Sequence, residues 1–234
     1  MLHLEMLNRK KLFLKQGRIF IFLFFIISSA TLFAFPIAPM GEKLSEFLDS
    51  LKVSKRWLPN RYVEWTTGIS LGKFRSGYGT NCSTFVAAAA SRLGVYILSP
   101  PEQQGLLANA QYRWLESQGE KYGWTPIDNQ MMAQKIANQG CLVVISYANP
   151  NRWRPGHIVI VRPSNKSKNE IKSRGPQIIQ AGKKNYNSTT LSKAFKNPQT
   201  AFRHHRLVYY AHNTPFCRLL VKKEALGFFK TKRV

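Results

Sequence analysis

Gly140-Cys141-Leu142-Val143-Val144-Ile145-Ser146-Tyr147 and, beyond a polar turn, Pro155-Gly156-His157-Ile158-Val159-Ile160-Val161 are two short apolar runs rich in β-branched residues. Runs of this length, bounded by Gly, Asn-Pro and Pro-Gly, read as buried strands over Cys141–Tyr147 and His157–Arg162. Gln177–Ala181 and Arg206–Ala211 have the same character, separated by Lys/Ser/Asn-rich loops. The polar, basic stretch 164–175 reads as an exposed hairpin loop.

Upstream of Gly140 the pattern is helical. Leu44, Phe47, Leu48 and Leu51 are spaced for one helix face between Gly41 and Leu58, stopped by Pro59. Residues 66–81 hold Gly68, Gly72, Gly77 and Gly79 and read as a loop leading into a helix that starts at Asn81 or Cys82. Phe85, Val86, Ala87–Ala90 and Leu93 carry that helix until Gly94 ends it. After Pro100-Pro101, residues 102–119 place Leu106, Leu107, Ala110, Trp114 and Leu115 on one side of a second helix, and 128–139 form a third, short one. Helices first and strands afterwards imply an α+β fold with an antiparallel sheet.

The chain has 234 residues, enough for one domain with a core. A content of 44% hydrophobic and 12% aromatic residues excludes disorder through most of the length. The net charge is +24, of which only +4 falls in residues 1–34. The rest attracts polyanions in general: nucleic acid, anionic lipid or acidic wall polymers. Five basic side chains between Arg9 and Arg18 precede an uncharged run from Ile19 to Ala38 with a weak cleavage site at Leu32-Phe33-Ala34. Residues 1–38 therefore read as a signal peptide or, since about 20 apolar residues span a bilayer, an uncleaved anchor. Either leaves residues 39–212 as a domain outside the cytoplasm, followed by a basic tail, 213–234. Export and the lack of a recognised motif argue against nucleic acid as partner and leave an anionic wall or membrane surface. Three cysteines leave at least one unpaired in an oxidising compartment. Cys82 is the expected free thiol. A Cys141–Cys217 bridge is open, with a buried free Cys141 the favoured reading.

A nucleophilic thiol needs a depressed pKa, which a helix N-terminus and a neighbouring imidazolium both supply. Cys82 occupies such a helix start, where its own N–H can face a developing oxyanion. His157 opens a β-branched strand just after a turn, a rigid mount for a general base. Among the other histidines, His3 precedes the export segment and His204, His205 and His212 lie in a basic C-terminal region. A metal site from His204, His205 and Cys217 lacks ordered ligand spacing, and no metal or organic cofactor is expected.

Asn81-Cys82-Ser83-Thr84-Phe85-Val86, then Gly140-Cys141-Leu142-Val143-Val144 and Pro155-Gly156-His157-Ile158-Val159-Ile160-Val161, resemble the papain-like NlpC-type and CHAP-type cysteine hydrolases over roughly residues 60–200. The resemblance implies a nucleophilic Cys82 on a helix, a His157 base on the adjoining sheet, and cleavage of peptide or amide bonds in bacterial peptidoglycan. It also implies a polar third residue on the next strand, for which Gln180 is the candidate and Asn185 the fallback. Asn81 and Thr84 depart from the aspartate and glycine usual at those positions, and the insertion 99–139 is long, marking a divergent branch. Tyr112, Trp114, Tyr122 and Trp124 in that insertion, with the loop 66–81, are candidate cleft walls. The alternative reading is a wall-binding or basic membrane-surface protein of the same fold without turnover.

Overall fold

Every residue of Leu142–Tyr147 is buried, as is each of Ile158–Val161, which explains why these runs are uninterrupted rather than alternating: both faces of each strand are covered. The structure, a computed structural model, describes residues 34–74, 79–101, 107–151, 153–195 and 207–217. In chain order, α1 (Pro39–Ser50) leads to a hairpin of β1 (Arg61–Val63) and β2 (Ser70–Lys73), then α2 (Cys82–Arg92) and α3 (Leu107–Ser117). A 3-10 turn (Gly119–Tyr122), β3 (Thr125–Ile127), α4 (Gln130–Asn138), β4 (Leu142–Tyr147) and β5 (His157–Val161) follow. The described part closes with α5 (Lys168–Arg174), β6 (Gln177–Gln180), β7 (Tyr186–Thr190), α6 (Leu191–Ala194) and β8 (Val208–His212).

The fold is α+β. Six strands form one antiparallel sheet in the order β3-β8-β4-β5-β6-β7. Because successive side chains on a strand point to opposite faces, the sheet divides the core in two. Leu142, Val144, Ile158, Ile160 and Ile179 pack with α1 and the alanine-rich α2, under Trp57 and Phe85, whose rings meet edge to face at 5.3 Å. Val143, Ile145, Val159, Val161 and Ile178 pack on the other side with Ala133, Ile136, Leu191 and Phe195. The run of small residues Ala87–Ala90, all buried, lets α2 lie close against the sheet and sets the height at which its first residue, Cys82, meets β5.

Five expectations need correction. Residues 164–175 hold α5 rather than a hairpin loop: Ser167 Oγ accepts from the N–H of Glu170 while Glu170 accepts from the N–H of Ser167, a capping box that fixes the helix start, and Ile171 is fully buried. The first helix ends at Ser50, not Leu58, because the chain turns through positive φ at Lys52, Trp57 and Asn60 to bury Val53 and Trp57. Residues 66–81 are not loop throughout, since β2 pairs with β1 and Glu64 ties the turn between them by accepting from the N–H groups of Thr66 and Thr67. Cys141 is not free: it is bonded to Cys217. Trp124 is a core side chain whose indole donates to the Tyr96 carbonyl, not an exposed wall.

Both flanks of the sheet domain are tied down. Residues 34–38 lie on the body, with Ala34 bridged to Ser167, and the Phe35 carbonyl accepting from the buried Asn138 amide at 2.8 Å. At the other end Thr214 donates to the Gly140 carbonyl at 2.7 Å beside the Cys141–Cys217 bridge. That bridge closes a loop of sequence separation 76, so Cys141→Ser is expected to lower stability by about 2–4 kcal/mol. Its effect on turnover at a temperature where both forms are folded should be small. Thermal melts with and without reductant, paired with activity, measure both quantities.

Candidate active site

The N-terminus of α2 meets the start of β5, and three side chains converge there. Cys82 is buried at the first turn of α2 and is the free cysteine among the described residues. His157, the first residue of β5, adjoins the thiol, and each acts on the other's ionisation. His157 Nε2 lies 2.8 Å from Gln180 Oε1, at the end of β6. The strand register explains this meeting, because β5 and β6 pair antiparallel through Ile160 with Ile179 and Val161 with Ile178, which brings the first residue of β5 beside the end of β6. The register of β6 against β7 shifts between Ile178 and Gln180, an irregularity that re-aims the strand end carrying the amide.

The second contact of Gln180 determines the protonation pattern. Its Nε2 donates to the Lys184 carbonyl at 3.0 Å, so its Oε1 must be the atom facing the imidazole. That oxygen only accepts, so His157 carries a proton on Nε2, which leaves Nδ1 as the ring nitrogen not engaged by Gln180. Phe195 packs against the imidazole with ring centroids 5.0 Å apart, limiting its rotation. A Cβ on Gly182 would lie 3.1 Å from Gln180 Nε2 and 3.5 Å from the His157 ring, so the chain passes this pair with no room to spare.

Electrostatics favour the charged pair. Burial opposes ionisation of Cys82, but the charge and hydrogen bond of His157, the N–H of Ile158 and the Thr80 hydroxyl outweigh it and hold the thiol below its usual range. Thr80 Oγ1 lies 3.9 Å from the sulfur. Burial likewise acts to lower the pKa of His157, and the Cys82 charge, its hydrogen bond and Gln180 together raise it above the usual imidazole value. A thiolate beside an imidazolium is a nucleophile and a proton donor held in one place.

Asn81 clarifies one departure from the resembled enzymes. Its side chain does not cap α2; its Nδ2 donates to the carbonyls of Leu58 at 2.8 Å and Arg61 at 3.1 Å. An aspartate there would set carboxylate oxygens against two carbonyl oxygens and put a negative charge next to the thiol. Asn185, the fallback for the third position, does different work. Its Nδ2 donates to the carbonyls of Val53, Arg56 and Trp57, and its Oδ1 accepts from Gly182 N–H, which pins the turn after β6 to the loop after α1.

Trp114 and Tyr122 form a ring cluster with Tyr96, centroids 5.0–5.5 Å apart. The Tyr112 phenol is pushed up to about 12 by burial and by its hydrogen bond to Glu116. Of His204, His205 and Cys217, Cys217 is in a disulfide and the two histidines lie outside the described residues; no group of three or more metal-ligating side chains occurs among the described residues. No family model matches this chain, and no curated protein matches it in sequence.

Proposed function

We propose that the protein is a papain-like cysteine hydrolase of peptide or amide bonds, acting through a thioester, with bacterial peptidoglycan peptide as substrate. The observation that carries this reading is the orientation of Gln180: its amide, fixed by the Lys184 carbonyl, selects the imidazole tautomer that leaves Nδ1 to the Cys82 thiol. A histidine kept only for packing has no need of that selection.

In the proposed reaction the Cys82 thiolate attacks the carbonyl carbon, and the oxyanion develops near the first N–H groups of α2. As the C–N bond breaks, His157 passes its Nδ1 proton to the departing amine nitrogen, leaving a thioester. Nδ1 then takes a proton from water, whose oxygen attacks the thioester. The C–S bond breaks, releasing the carboxylic acid, and the proton returns to the thiol. Gln180 holds the ring throughout, and no step needs a metal or organic cofactor.

Export is part of the proposal, supported by the charge pattern of residues 9–38 and by the Cys141–Cys217 bridge, which persists in oxidising compartments. Among the described residues no helix is long and apolar enough to cross a membrane. The basic surface is proposed to concentrate the protein on an anionic wall or membrane surface. Mass spectrometry of purified peptidoglycan incubated with the protein tests the substrate: wild type is expected to release fragments with a new amine and a new carboxylate, and Cys82→Ala none. Release of the same fragments by both proteins, or by neither, overturns the reading. Binding to the wall should weaken steeply with salt, since exposed charges are screened beyond about 8 Å at physiological ionic strength.

A further inference from the structure

The insertion between α2 and β4 supplies a helix, α3, that touches both halves of the candidate site without contributing a group to it. Asn109 on α3 is 1% exposed, and both ends of its amide are used on the loop between β4 and β5. Its Oδ1 accepts from Asn149 N–H at 3.0 Å, and its Nδ2 donates to the Arg154 carbonyl at 2.9 Å. The loop ends at Gly156, where a Cβ would fall 2.5 Å from Asn109 Oδ1 and 2.2 Å from the Tyr147 carbonyl oxygen. Tyr147 is the register partner of His157. Gly156 is therefore clamped between the end of β4 and the Asn109 amide, immediately before the imidazole.

Two residues further along the same helix, on a side turned by about 200°, the fully buried Gln111 donates from Nε2 to the carbonyl of Ser83 at 3.1 Å and to that of Leu98 at 2.8 Å. Ser83 follows Cys82. One rigid turn of α3 thus grips the residue after the nucleophile with one amide and the loop that delivers the base with another.

We propose that α3 acts as a brace that sets the separation of Cys82 and His157, with Asn109 and Gln111 as positioning residues. The inference rests on the proposed thiol chemistry. Neither amide touches the reacting atoms; each holds backbone that carries one of them. Two hydrogen bonds and a steric stop at Gly156 fix the height at which β5 begins, and a displacement of about 1 Å between reacting groups costs on the order of 100-fold in rate. An apolar side chain at 109 would leave the N–H of Asn149 and the carbonyl of Arg154 without these partners, and the loop would shift to regain others.

The test uses the full chain and needs no substrate for its first readout. With Cys141 and Cys217 bonded, Cys82 is the thiol left to alkylate, and its rate with iodoacetamide against pH reports the thiolate held by His157. Wild type is expected to alkylate well below the ordinary thiol range. Asn109→Ala is expected to move that limb toward it by about one pH unit and to lower kcat by about 10- to 100-fold with little change in KM. Asn109→Asp, which keeps the acceptor for Asn149 but not the donor to Arg154, should fall between them, and Gln111→Leu should shift the limb in the same direction. If Asn109→Ala does not fold, Asn109→Asp and Gln111→Leu carry the comparison. Folded variants whose alkylation profile superimposes on wild type, whatever their melting temperature, overturn the brace. A wild-type thiol without an acid-shifted limb overturns the thiol chemistry on which it rests.

Discussion

Replacing Cys82 by alanine is expected to reduce hydrolysis by at least about 10⁴-fold while leaving the melting temperature nearly unchanged. In the proposed reaction the thiol forms the new covalent bond, and Thr80, whose hydroxyl lies 3.9 Å from the sulfur, stands beside it rather than in its place. The fold loses little, because the sulfur is one small buried atom at the edge of a core held by Phe85, Trp57 and the sheet. Turnover near the wild-type level in a folded Cys82→Ala protein refutes thiol catalysis here. The pH profile offers an independent check. Cys82 is held below the usual thiol range and His157 above the usual imidazole value. Activity should therefore rise, as pH increases, before an ordinary thiol would ionise, and fall only once the imidazolium deprotonates, the two limbs belonging to the pair rather than to either residue.

Gln180→Ala is expected to lower kcat by about 10- to 1000-fold, on the order of 1.4 to 4 kcal/mol, with KM little changed. Removing the amide frees the imidazole to rotate and to place its proton on the nitrogen that faces sulfur. Rotation would still be resisted by Phe195, which is why the loss should be smaller than that of His157→Ala. Gln180→Glu is not expected to improve on the native residue. A carboxylate would stabilise the imidazolium, but its second oxygen would face the Lys184 carbonyl where the native amide donates a hydrogen bond. Kinetics of the three variants on one substrate distinguish these effects; a Gln180→Ala enzyme with unaltered kcat removes Gln180 from the site.

The parts of this molecule that were legible in the sequence are those whose physics is local. Strand β4, buried throughout, and β5 and β6, buried beyond their first residues, announce themselves as apolar β-branched runs, and α2 as an alanine run between a glycine-rich approach and Gly94. The position of Gln180 beside His157 was legible through the resemblance, because its place one strand beyond the histidine strand is a matter of order along the chain. Strands β1, β3 and β7 were not: they are short and only partly buried, and β3 is held by a partner, β8, more than 80 residues away in sequence. The capping box Ser167-Lys168-Asn169-Glu170 was a readable local signal, hidden by its Lys/Ser/Asn-rich setting. Asn109 could not have been found that way. Its partners lie 40 and 45 residues downstream, and an amide within a helix acquires meaning only when the loop it holds is known.

The Cys141–Cys217 bond bears on how the proposed activity would survive oxidation. Three thiols can join in three single pairings, and two of those consume Cys82. Chain statistics do not protect it, since Cys82 and Cys141 are closer along the chain than Cys141 and Cys217, and loop closure favours that wrong pair by about 0.2 kcal/mol. Selection must come from the folding sheet and helix, which bury Cys82 at the head of α2 while Cys141 and Cys217 meet at the start of β4. Protein oxidised before it folds should accordingly contain molecules whose Cys82 is locked in a disulfide, and thiol exchange in a redox buffer should free it again.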